Sequence, residues 1–274
     1  MSKPNTSGPL AGRTALVTGS TSGIGLAVAI ALAEAGARIG LNGLGTAEQI
    51  QAATDQLSKA GAPEVRYFGA NLMDPAAIDT MMTEALAWGG GLDILVNNAG
   101  MQHTASIATM PVEKWQAIIA LNLSACFYTM RHALPFMAGR GYGRIINIAS
   151  VHGLVASVEK APYVASKFGL VGMTKVAALE VAAAGDRTSG GVTVNAICPG
   201  WVETPLIEPQ IMARAAKHGE DRAKGYKELV LEKEPTGRMA DPSDIGAVAL
   251  FLCSKAAHNI TGVALPVDGG WTAQ

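Results

Sequence analysis

TGSTSGIG, residues 18–25, lies directly after an apolar run at residues 15–18 and directly before a helical pattern at residues 24–35. Glycine lets the backbone turn sharply and approach a ligand without a Cβ in the way. The free N–H groups and the positive dipole end of the following helix favour a pyrophosphate at this point. The spacing is G-x-x-x-G-x-G, not the G-x-G-x-x-G of the commoner dinucleotide fingerprint. A glycine cluster alone also fits a tight turn without a ligand, but its place between the first strand and the first helix favours a dinucleotide site.

Apolar runs alternate with helical stretches along most of the chain. We predict strands at 15–18, 38–41, 65–69, 94–96, 144–148, 192–197 and 263–267, and helices at 24–35, 46–59, 76–88, 112–137 and 163–184. Continuous runs of Val, Ile and Leu are typical of strands buried on both faces. The series predicts an α/β fold: a single doubly wound Rossmann-type domain with a seven-stranded, mainly parallel sheet and helices on both faces.

The chain of 274 residues has no linker rich in Pro, Gly or Ser and no internal repeat, so we expect one domain. Residues 1–11 are expected to form a flexible N-terminus and residues 185–191 an exposed loop. Residues 208–234 hold an unusual share of the charges and stand between two predicted strands. That composition predicts a solvent-facing helical excursion, which in an enzyme can act as a substrate lid.

Composition and charge narrow the function classes. The formal net charge is −1, with no basic tail, so we expect no nucleic-acid partner and no anionic membrane partner. Three cysteines, Cys126, Cys198 and Cys253, lack CxxC spacing, which fits a reducing compartment. The uncharged segment 14–33 is interrupted by turn residues and is not expected to span a membrane. The start, MSKPNTSGPLAG, has no apolar stretch of the kind a secretory signal requires, so we expect a cytoplasmic protein.

Tyr163 and Lys167 are four residues apart in YVASK. On a helix this spacing is one turn, so the two side chains share a face. A neighbouring ammonium stabilises a phenolate, which would make Tyr163 a usable general acid and base near neutral pH. A surface tyrosine beside an unrelated lysine gives the same spacing, so the pair needs further support.

That support comes from the ends of the predicted strands. Ser150 follows the strand at 144–148, and NNAG follows the strand at 94–96. Ligands of open α/β sheets sit at the carboxyl ends of the strands. TGxxxGxG, NNAG, a strand-terminal Ser and YxxxK, in this order, resemble the short-chain dehydrogenase/reductase family. The resemblance covers about residues 10–272, including PG at 199–200 and DGG at 268–270.

The resemblance implies a catalytic set. Tyr163 would transfer the proton, Ser150 would hydrogen-bond the reacting oxygen, and Lys167 would support Tyr163 and hold the nicotinamide ribose. Asn122 would anchor a water relay to that lysine. An Asn among apolar neighbours is otherwise a costly polar group, so a buried hydrogen-bonding role is expected, although a purely structural one is an alternative.

The same resemblance implies a dinucleotide site, with the cofactor supplying the redox chemistry. The sequence has no metal-ligand cluster, so we expect no catalytic metal. The cofactor-binding residues would be Gly19, Thr21, Ser22, Gly23, Ile24, Gly25, Leu44, Asn71, Leu72, Asn98, Ala99, Gly100, Tyr163, Lys167, Pro199, Gly200, Val202 and Thr204. We expect NAD in preference to NADP. The segment LNGLG at 41–45 has no acidic residue for a ribose hydroxyl, but it also has no cation for a 2′-phosphate, and Arg38 stands at the wrong end of its strand.

The loops around the predicted centre carry polar side chains that suit a small carboxylate, since a buried charge must be paired. These loops contain NNAGMQHTA, NIASVHGLVAS, EKAPYVASK and NAICPGWVETPLIEPQI, which resemble those of the bacterial D-3-hydroxybutyrate dehydrogenases. By that resemblance the substrate-binding residues would be Gln102, His152, Lys160, Trp201 and Gln210. Taken singly, Lys160 also fits a solvated loop lysine, His152 a structural histidine and Trp201 a packing aromatic. His103 and His132 are expected to be structural.

The function that this resemblance implies is reversible, NAD-dependent oxidation of D-3-hydroxybutyrate to acetoacetate by a homotetramer. Two alternatives stay open within the enzyme class: a 3-oxoacyl thioester reductase and a sugar dehydrogenase. A third alternative is a non-catalytic dinucleotide-sensing protein, against which the complete Ser, Tyr, Lys and Asn set argues.

Overall fold

The computed structural model describes residues 8–273. Its elements in chain order are β1 (Thr14–Val17), α1 (Gly23–Glu34), β2 (Arg38–Leu41), α2 (Ala47–Lys59), β3 (Val65–Tyr67), α3 (Pro75–Ala87), β4 (Ile94–Asn97), α4 (Val112–Ile119), α5 (Ala125–Arg140), β5 (Tyr142–Ile148), α6 (Ala161–Glu180), β6 (Gly191–Pro199), α7 (Glu208–Ala215), α8 (Arg222–Leu231), α9 (Pro242–Cys253) and β7 (Ala264–Val267).

The seven strands form one sheet in the order β3-β2-β1-β4-β5-β6-β7, and every neighbouring pair is parallel. The predicted doubly wound, Rossmann-type fold is therefore confirmed. The strand order reverses between β1 and β4, and this switch point opens a crevice at the carboxyl edge of the sheet where ligands bind in such folds.

Both faces of the sheet are covered, which explains why the strands are apolar without alternation. Val17 on β1 packs in a core with α1, α2 and α9, whereas the preceding Leu16 packs in a second core with α3, α5 and α6. Successive strand residues point to opposite faces. A polar residue at either position would be buried, so the core itself selects the apolar run.

Two helical predictions need correction. The stretch predicted as one helix over 112–137 is α4, a π-helical turn at Ala120–Ser124 and α5, which continues through Pro135 to Arg140. Helix α9 was not predicted, although Asp241 and Asp244 form a reciprocal capping box and Pro242 occupies its first turn. These are sequence signals for a helix start.

The other predicted bounds differ by a few residues. The third strand ends at Tyr67 and not at residue 69, α6 runs over Ala161–Glu180 and not 163–184, and β6 extends to Pro199. Residues 208–234 contain α7 and α8, which Arg214 and Glu232 link at 2.6 Å. That this segment moves as a substrate lid stays a prediction.

Leu10 anchors the start of the described chain, and the three cysteines are free thiols. Residues 1–7 of the predicted flexible N-terminus lie outside the described residues, while Leu10 is buried and donates its N–H to the carbonyl of Ala35 at 2.9 Å. Cys126, Cys198 and Cys253 are separate, buried thiols. Within residues 8–273, no helix is long and apolar enough to cross a membrane.

Candidate active site

A cavity of about 430 Å³ lies at the carboxyl edge of the sheet. Loops that follow β1, β2, β4, β5 and β6 line it, as the switch-point rule requires. The predicted site residues that line it are Gly19, Thr21, Ser22, Gly23, Ile24, Leu44, Asn71, Leu72, Asn98, Ala99, Gly100, Gln102, Ser150, His152, Lys160, Tyr163, Lys167, Pro199, Gly200, Trp201, Val202 and Thr204. The structure thus gathers most of the predicted residues around one space.

The start of α1 suits an anionic group. Helix α1 begins at Gly23 after Ser22, whose side chain makes no capping hydrogen bond, and both residues line the cavity. The first N–H groups of a helix need acceptors, and the oxygens of a pyrophosphate supply them together with a favourable charge. The residues present therefore fit the phosphates of a dinucleotide.

Close backbone packing holds this loop in place. A Cβ on Gly25 would lie 2.3 Å from the carbonyl oxygen of Gly19, so only glycine fits there. The amide of Asn98 donates to the carbonyls of Thr18 and Gly19 at 2.9 and 3.0 Å, and the hydroxyl of Thr18 accepts from the N–H groups of Asn98 and Ala99. The loops after β1 and β4 therefore form one unit. Gly25 itself supports the cavity without lining it.

The residues that directly follow β2 line another part of the cavity. Asn42 is buried, and its amide donates to the carbonyls of Phe68 and Ala70 at 2.8 and 3.2 Å. Thr21 donates its hydroxyl to the carbonyl of Leu44 at 3.0 Å, and the Leu44 side chain is 81% exposed. No charged side chain is among the residues that line this end.

Ser150, Tyr163 and Lys167 all line this cavity. Ser150 follows β5, and its oxygen accepts from the N–H of His152 at 3.1 Å. Lys167 is buried and donates its ammonium to the carbonyl of Ile148, at the end of β5, at 2.8 Å. The same ammonium lies 5.6 Å from the ring centre of Tyr163. A hydroxyl, a phenol and a cation within one space can bind and deprotonate an alcohol.

Asn122 lies in the π-helical turn between α4 and α5 and is fully buried. Its amide donates to the carbonyl of Met101 at 2.9 Å and accepts from the N–H of Met101 at 2.9 Å. It also reaches the hydroxyl of Ser166 at 3.4 Å. Its side chain therefore connects the loop after β4 to the helix that carries Tyr163. Its part in a water relay stays a prediction.

One end of the cavity contains buried polar groups without partners. Both ring nitrogens of His152 and the indole nitrogen of Trp201 have no hydrogen-bond partner among the described residues, and neither has the buried amide nitrogen of Gln210, which lies outside the cavity lining. Lys160 is buried as well, and its ammonium lies 5.1 Å from the Trp201 ring centre without a carboxylate partner in residues 8–273. Buried polar groups are nearly always paired, so this end of the cavity is complementary to a polar ligand.

The electrostatics of this end follow from burial. Burial, followed by the charges of Lys160 and Lys233, lowers the pKa of His152 to about 4, so its ring is neutral at pH 7. Burial, followed by the charge of Arg214, lowers the pKa of Lys160 to about 8. A bound anion would restore the full charge of this lysine.

The loop that presents Lys160 is held in an unusual conformation. Glu159 has φ of +62°, a left-handed conformation that non-glycine residues rarely adopt. Its carbonyl accepts from the N–H of Ala105 at 2.9 Å, and Ala105 and Lys160 form an isolated parallel bridge. The loop that carries Gln102 and the loop that carries Lys160 are therefore joined. Strain of this kind clusters at binding sites.

Sequence reasoning missed Trp271, which is buried and lines the cavity. Its ring centre lies 5.1 Å from that of Trp201 and 5.4 Å from that of His152. Asp268 fixes this segment by accepting from the N–H groups of Gly270 and Thr272. An aromatic residue directly after DGG was the available signal. Gln210, although predicted, does not line the cavity; its buried amide points from α7 without a partner.

The two remaining histidines have different surroundings. His132 on α5 pairs with Asp79 on α3 at 2.8 Å, on the helical layer away from the cavity. His103 is half-buried in the loop after β4 and does not line the cavity. Among residues 8–273, no group of three or more His, Cys, Asp or Glu side chains could hold a metal ion.

The fold, the dinucleotide-compatible loop and the Ser–Tyr–Lys centre define an oxidoreductase that works with a bound dinucleotide. The chain belongs to the short-chain dehydrogenase/reductase family: the family model described as enoyl-(acyl carrier protein) reductase matches residues 19–272.

Two curated proteins are similar to this chain over nearly its full length. The chain is 53% identical over 266 residues to a D-beta-hydroxybutyrate dehydrogenase of Cupriavidus necator, which covers 97% of this chain and 100% of the relative. It is 48% identical to a D-beta-hydroxybutyrate dehydrogenase of Rhizobium meliloti, over 96% of this chain and 99% of the relative. A solved structure from Agrobacterium tumefaciens with bound NADP has a TM-score of 0.80 and 32% identity, over 96% of this chain and 97% of that one.

Proposed function

We propose that this enzyme oxidises D-3-hydroxybutyrate to acetoacetate reversibly, with NAD as the hydride acceptor. One observation carries the proposal. Lys160 and His152 line the same cavity as Ser150, Tyr163 and Lys167, and both ring nitrogens of His152 are buried without a partner. We assign this pair to the carboxylate of a small substrate held at the Ser–Tyr–Lys centre. The names of the two curated relatives support the same substrate.

Ser150 and Tyr163 are assigned to the reacting oxygen. In the oxidation direction, the Ser150 hydroxyl donates a hydrogen bond to the reacting oxygen of the substrate, and the substrate hydroxyl gives its one proton to the Tyr163 phenolate. A dinucleotide held by the loop after β1 and by Lys167 would supply the acceptor for the hydride that leaves the carbon bearing this hydroxyl. Lys167 stabilises the phenolate by its charge and keeps its position through the carbonyl of Ile148. Reduction runs through the same groups in reverse, with Tyr163 as the acid.

Four side chains are assigned to the carboxylate. Lys160 supplies the charge, and His152, Gln102 and Gln210 supply neutral donors. A neutral His152 can donate one N–H, which suits an acceptor-only carboxylate. Charge-assisted hydrogen bonds are about twice as strong as neutral ones, so Lys160 should dominate affinity. Trp201 forms the wall against which Lys160 lies.

NAD is proposed over NADP because no cation lines the end of the cavity next to β2. A 2′-phosphate carries roughly −1.5 to −2 charges and needs a charged partner. Leu44 and Gly43 offer none, and Arg38 stands at the start of β2.

Assembly, location and motion are also proposals. Helices α5 and α6 expose large apolar side chains, which are Phe127, Phe168, Val176 and Leu179. Exposed apolar faces of this kind mark protein–protein contacts, which supports the homotetramer expected from the family resemblance. Three unpaired, buried thiols support a cytoplasmic location. Gln210 on α7 supports the segment 208–234 as the substrate lid.

An absorbance assay at saturating NAD tests the proposal. D-3-hydroxybutyrate should produce reduced nicotinamide, and its L enantiomer should give at most a small fraction of that rate. Gluconate and a 3-oxoacyl thioester, the latter with reduced cofactor, serve as the competing substrates. Faster turnover of either one would overturn the proposed substrate, and the absence of turnover with all of them would favour the dinucleotide-sensing alternative.

A further inference from the structure

Glu234 is a buried carboxyl group to which neither the catalytic nor the substrate-binding set assigns a role. It lies three residues after the end of α8 and is only 1% exposed. One carboxylate oxygen, Oε1, accepts from the backbone N–H of Trp201 at 2.6 Å. The other oxygen, Oε2, is buried and has no partner among the described residues. A half-satisfied buried carboxyl is costly, so a compensating role is expected.

The contact with Trp201 is close and depends on its neighbour. A Cβ on Gly200 would lie 2.3 Å from Oε1 of Glu234, so glycine is needed for the carboxyl to reach the backbone. The carbonyl oxygen of Trp201 also accepts from the N–H of Ala240 at 3.0 Å. The backbone of Trp201 is thus held on both sides by the segment that follows α8.

Two indole side chains connect this contact to Lys160, at the end of the cavity assigned to the substrate. The Trp201 ring lies 5.1 Å from the ammonium of Lys160 and 5.1 Å from the ring centre of Trp271. The Trp271 segment is fixed to the same place, because Thr236, two residues after Glu234, donates its N–H to the carbonyl of Gly269 at 3.1 Å. One short segment therefore fixes both indoles that line the cavity.

We propose that Glu234 is a positioning residue for the substrate site: its carboxyl fixes the backbone of Trp201 and thereby the indole against which Lys160 lies. The inference rests on the proposed function for the identity of the substrate. The role itself is an effect on geometry, because Glu234 does not line the cavity. Loss of the acceptor leaves the Trp201 N–H buried and unpaired, and the loop must move to expose it to water.

Three substitutions separate the acceptor from the volume it occupies. Glu234→Gln keeps an oxygen at the same distance, Glu234→Asp withdraws the acceptor by one methylene, and Glu234→Leu removes it. Glu84→Gln is the control. Glu84 is a half-exposed residue of α3 that pairs with Arg66 of β3, away from the cavity lining. If Glu234→Leu does not fold, the comparison of Gln with Asp still decides.

Two measurements are needed on the folded proteins. KM for D-3-hydroxybutyrate should rise about tenfold or more in the Asp and Leu variants, with a smaller change in KM for NAD, and the Gln variant should stay within about threefold of wild type. Hydrogen exchange of the peptide that contains the Trp201 amide, followed by mass spectrometry, should accelerate in the Asp and Leu variants and not in Gln.

The exchange measurement needs no turnover, so it separates this inference from the proposed function. If wild type does not oxidise 3-hydroxybutyrate, the proposed function fails, while unchanged Trp201 exchange in Glu234→Leu or Glu234→Asp would overturn the positioning role. An accelerated exchange with an unchanged ratio of the two KM values also overturns it, because the contact would then be structural only. Equal losses in Gln and Leu would contradict the acceptor role.

Discussion

At the scale of single residues, the chemistry depends on where a few polar atoms lie relative to one another. Lys167 donates to the end of β5 and sits beside the Tyr163 ring, so its position follows from the strand. Lys160 has no such partner and lies against Trp201. The first lysine is satisfied before any ligand binds, and the second is not. This difference is why we assign Lys167 to the centre and Lys160 to the substrate.

Replacing Tyr163 by Phe should abolish most turnover and leave the fold intact. The ring keeps its packing, whereas no other phenol lines the cavity to carry the proton. Loss of general acid–base catalysis costs about 10²–10⁴-fold in kcat. Steady-state kinetics with a melting curve check this, and Tyr128→Phe on α5 is the matched control. A variant that keeps more than about a tenth of wild-type kcat contradicts the assignment.

Replacing Lys160 by Ala should raise KM for D-3-hydroxybutyrate much more than KM for NAD. A charge-assisted hydrogen bond is worth roughly 1.5–3 kcal/mol, or about 10- to 150-fold in binding. Lys175→Ala, on the exposed side of α6, is the control. If both KM values match those of wild type, Lys160 is a loop lysine and the carboxylate site loses its main support.

At the scale of elements, the site is built where strands end and helices begin. The loop between β1 and α1 meets the loop after β4 through the bond from Asn98 to Gly19, and the π-helical turn before α5 brings Asn122 to the same loop after β4. π-helical turns are rare and often occur at functional sites. A buried asparagine in such a turn fixes a loop that a regular helix would not reach.

Replacing Gly25 by Ala should weaken dinucleotide binding. The new Cβ would lie 2.3 Å from the carbonyl oxygen of Gly19, so the loop after β1 must shift away from α1. We expect Kd for NAD to rise about tenfold or more, since a displaced loop loses at least one hydrogen bond to phosphate. Titration calorimetry measures it.

Gly139→Ala on α5 is the control for this substitution, because a Cβ there meets nothing within 4 Å. Alanine is also the better helix former, so the control should bind NAD normally and be at least as stable as wild type. Normal NAD binding by Gly25→Ala would show that the loop tolerates a Cβ and that its glycine serves the fold in some other way.

The strands were predictable because their apolar runs are needed on both faces, and the Ser–Tyr–Lys centre because it stands at strand and helix ends. Two features were less accessible. The π-helical turn at Asn122 leaves no mark in a helical pattern, and Trp271 reaches the cavity only through folding of the last segment. Helix α9 was accessible, because Asp241, Pro242 and Asp244 mark its start. The orphaned groups of His152 and Gln210 are tertiary features that no local pattern reports.

At the scale of the whole molecule, two buried groups make opposite contributions to the pH dependence of folding. Burial raises the pKa of Glu234 from 4.5 to about 7, so its contribution is full below about pH 4.5 and is lost as pH rises towards 7. Burial lowers the pKa of His152 from 6.5 to about 4, so its contribution is full above about pH 6.5 and is lost as pH falls. The two effects oppose each other between these values.

Glu234→Gln removes the titration of Glu234, so the pH dependence of stability that remains should include that of His152 without the opposing effect. Relative to wild type, the variant should gain stability as pH rises from 5 to 7, by on the order of 1 kcal/mol, or about 2–4 °C in Tm for a chain of this size. Melting curves of both proteins at pH 5 and pH 7 measure the difference. The same Tm difference at both pH values would mean that Glu234 does not titrate in this range.

We propose that the enzyme selects a small substrate by its carboxylate, and removal of that charge tests this selection most directly. The methyl ester of D-3-hydroxybutyrate keeps the reacting alcohol and loses the negative charge. The ratio of kcat/KM for the acid and for the ester should be about 10-fold or more in wild type, and should approach one in Lys160→Ala. Equal kcat/KM for acid and ester in wild type would contradict the account.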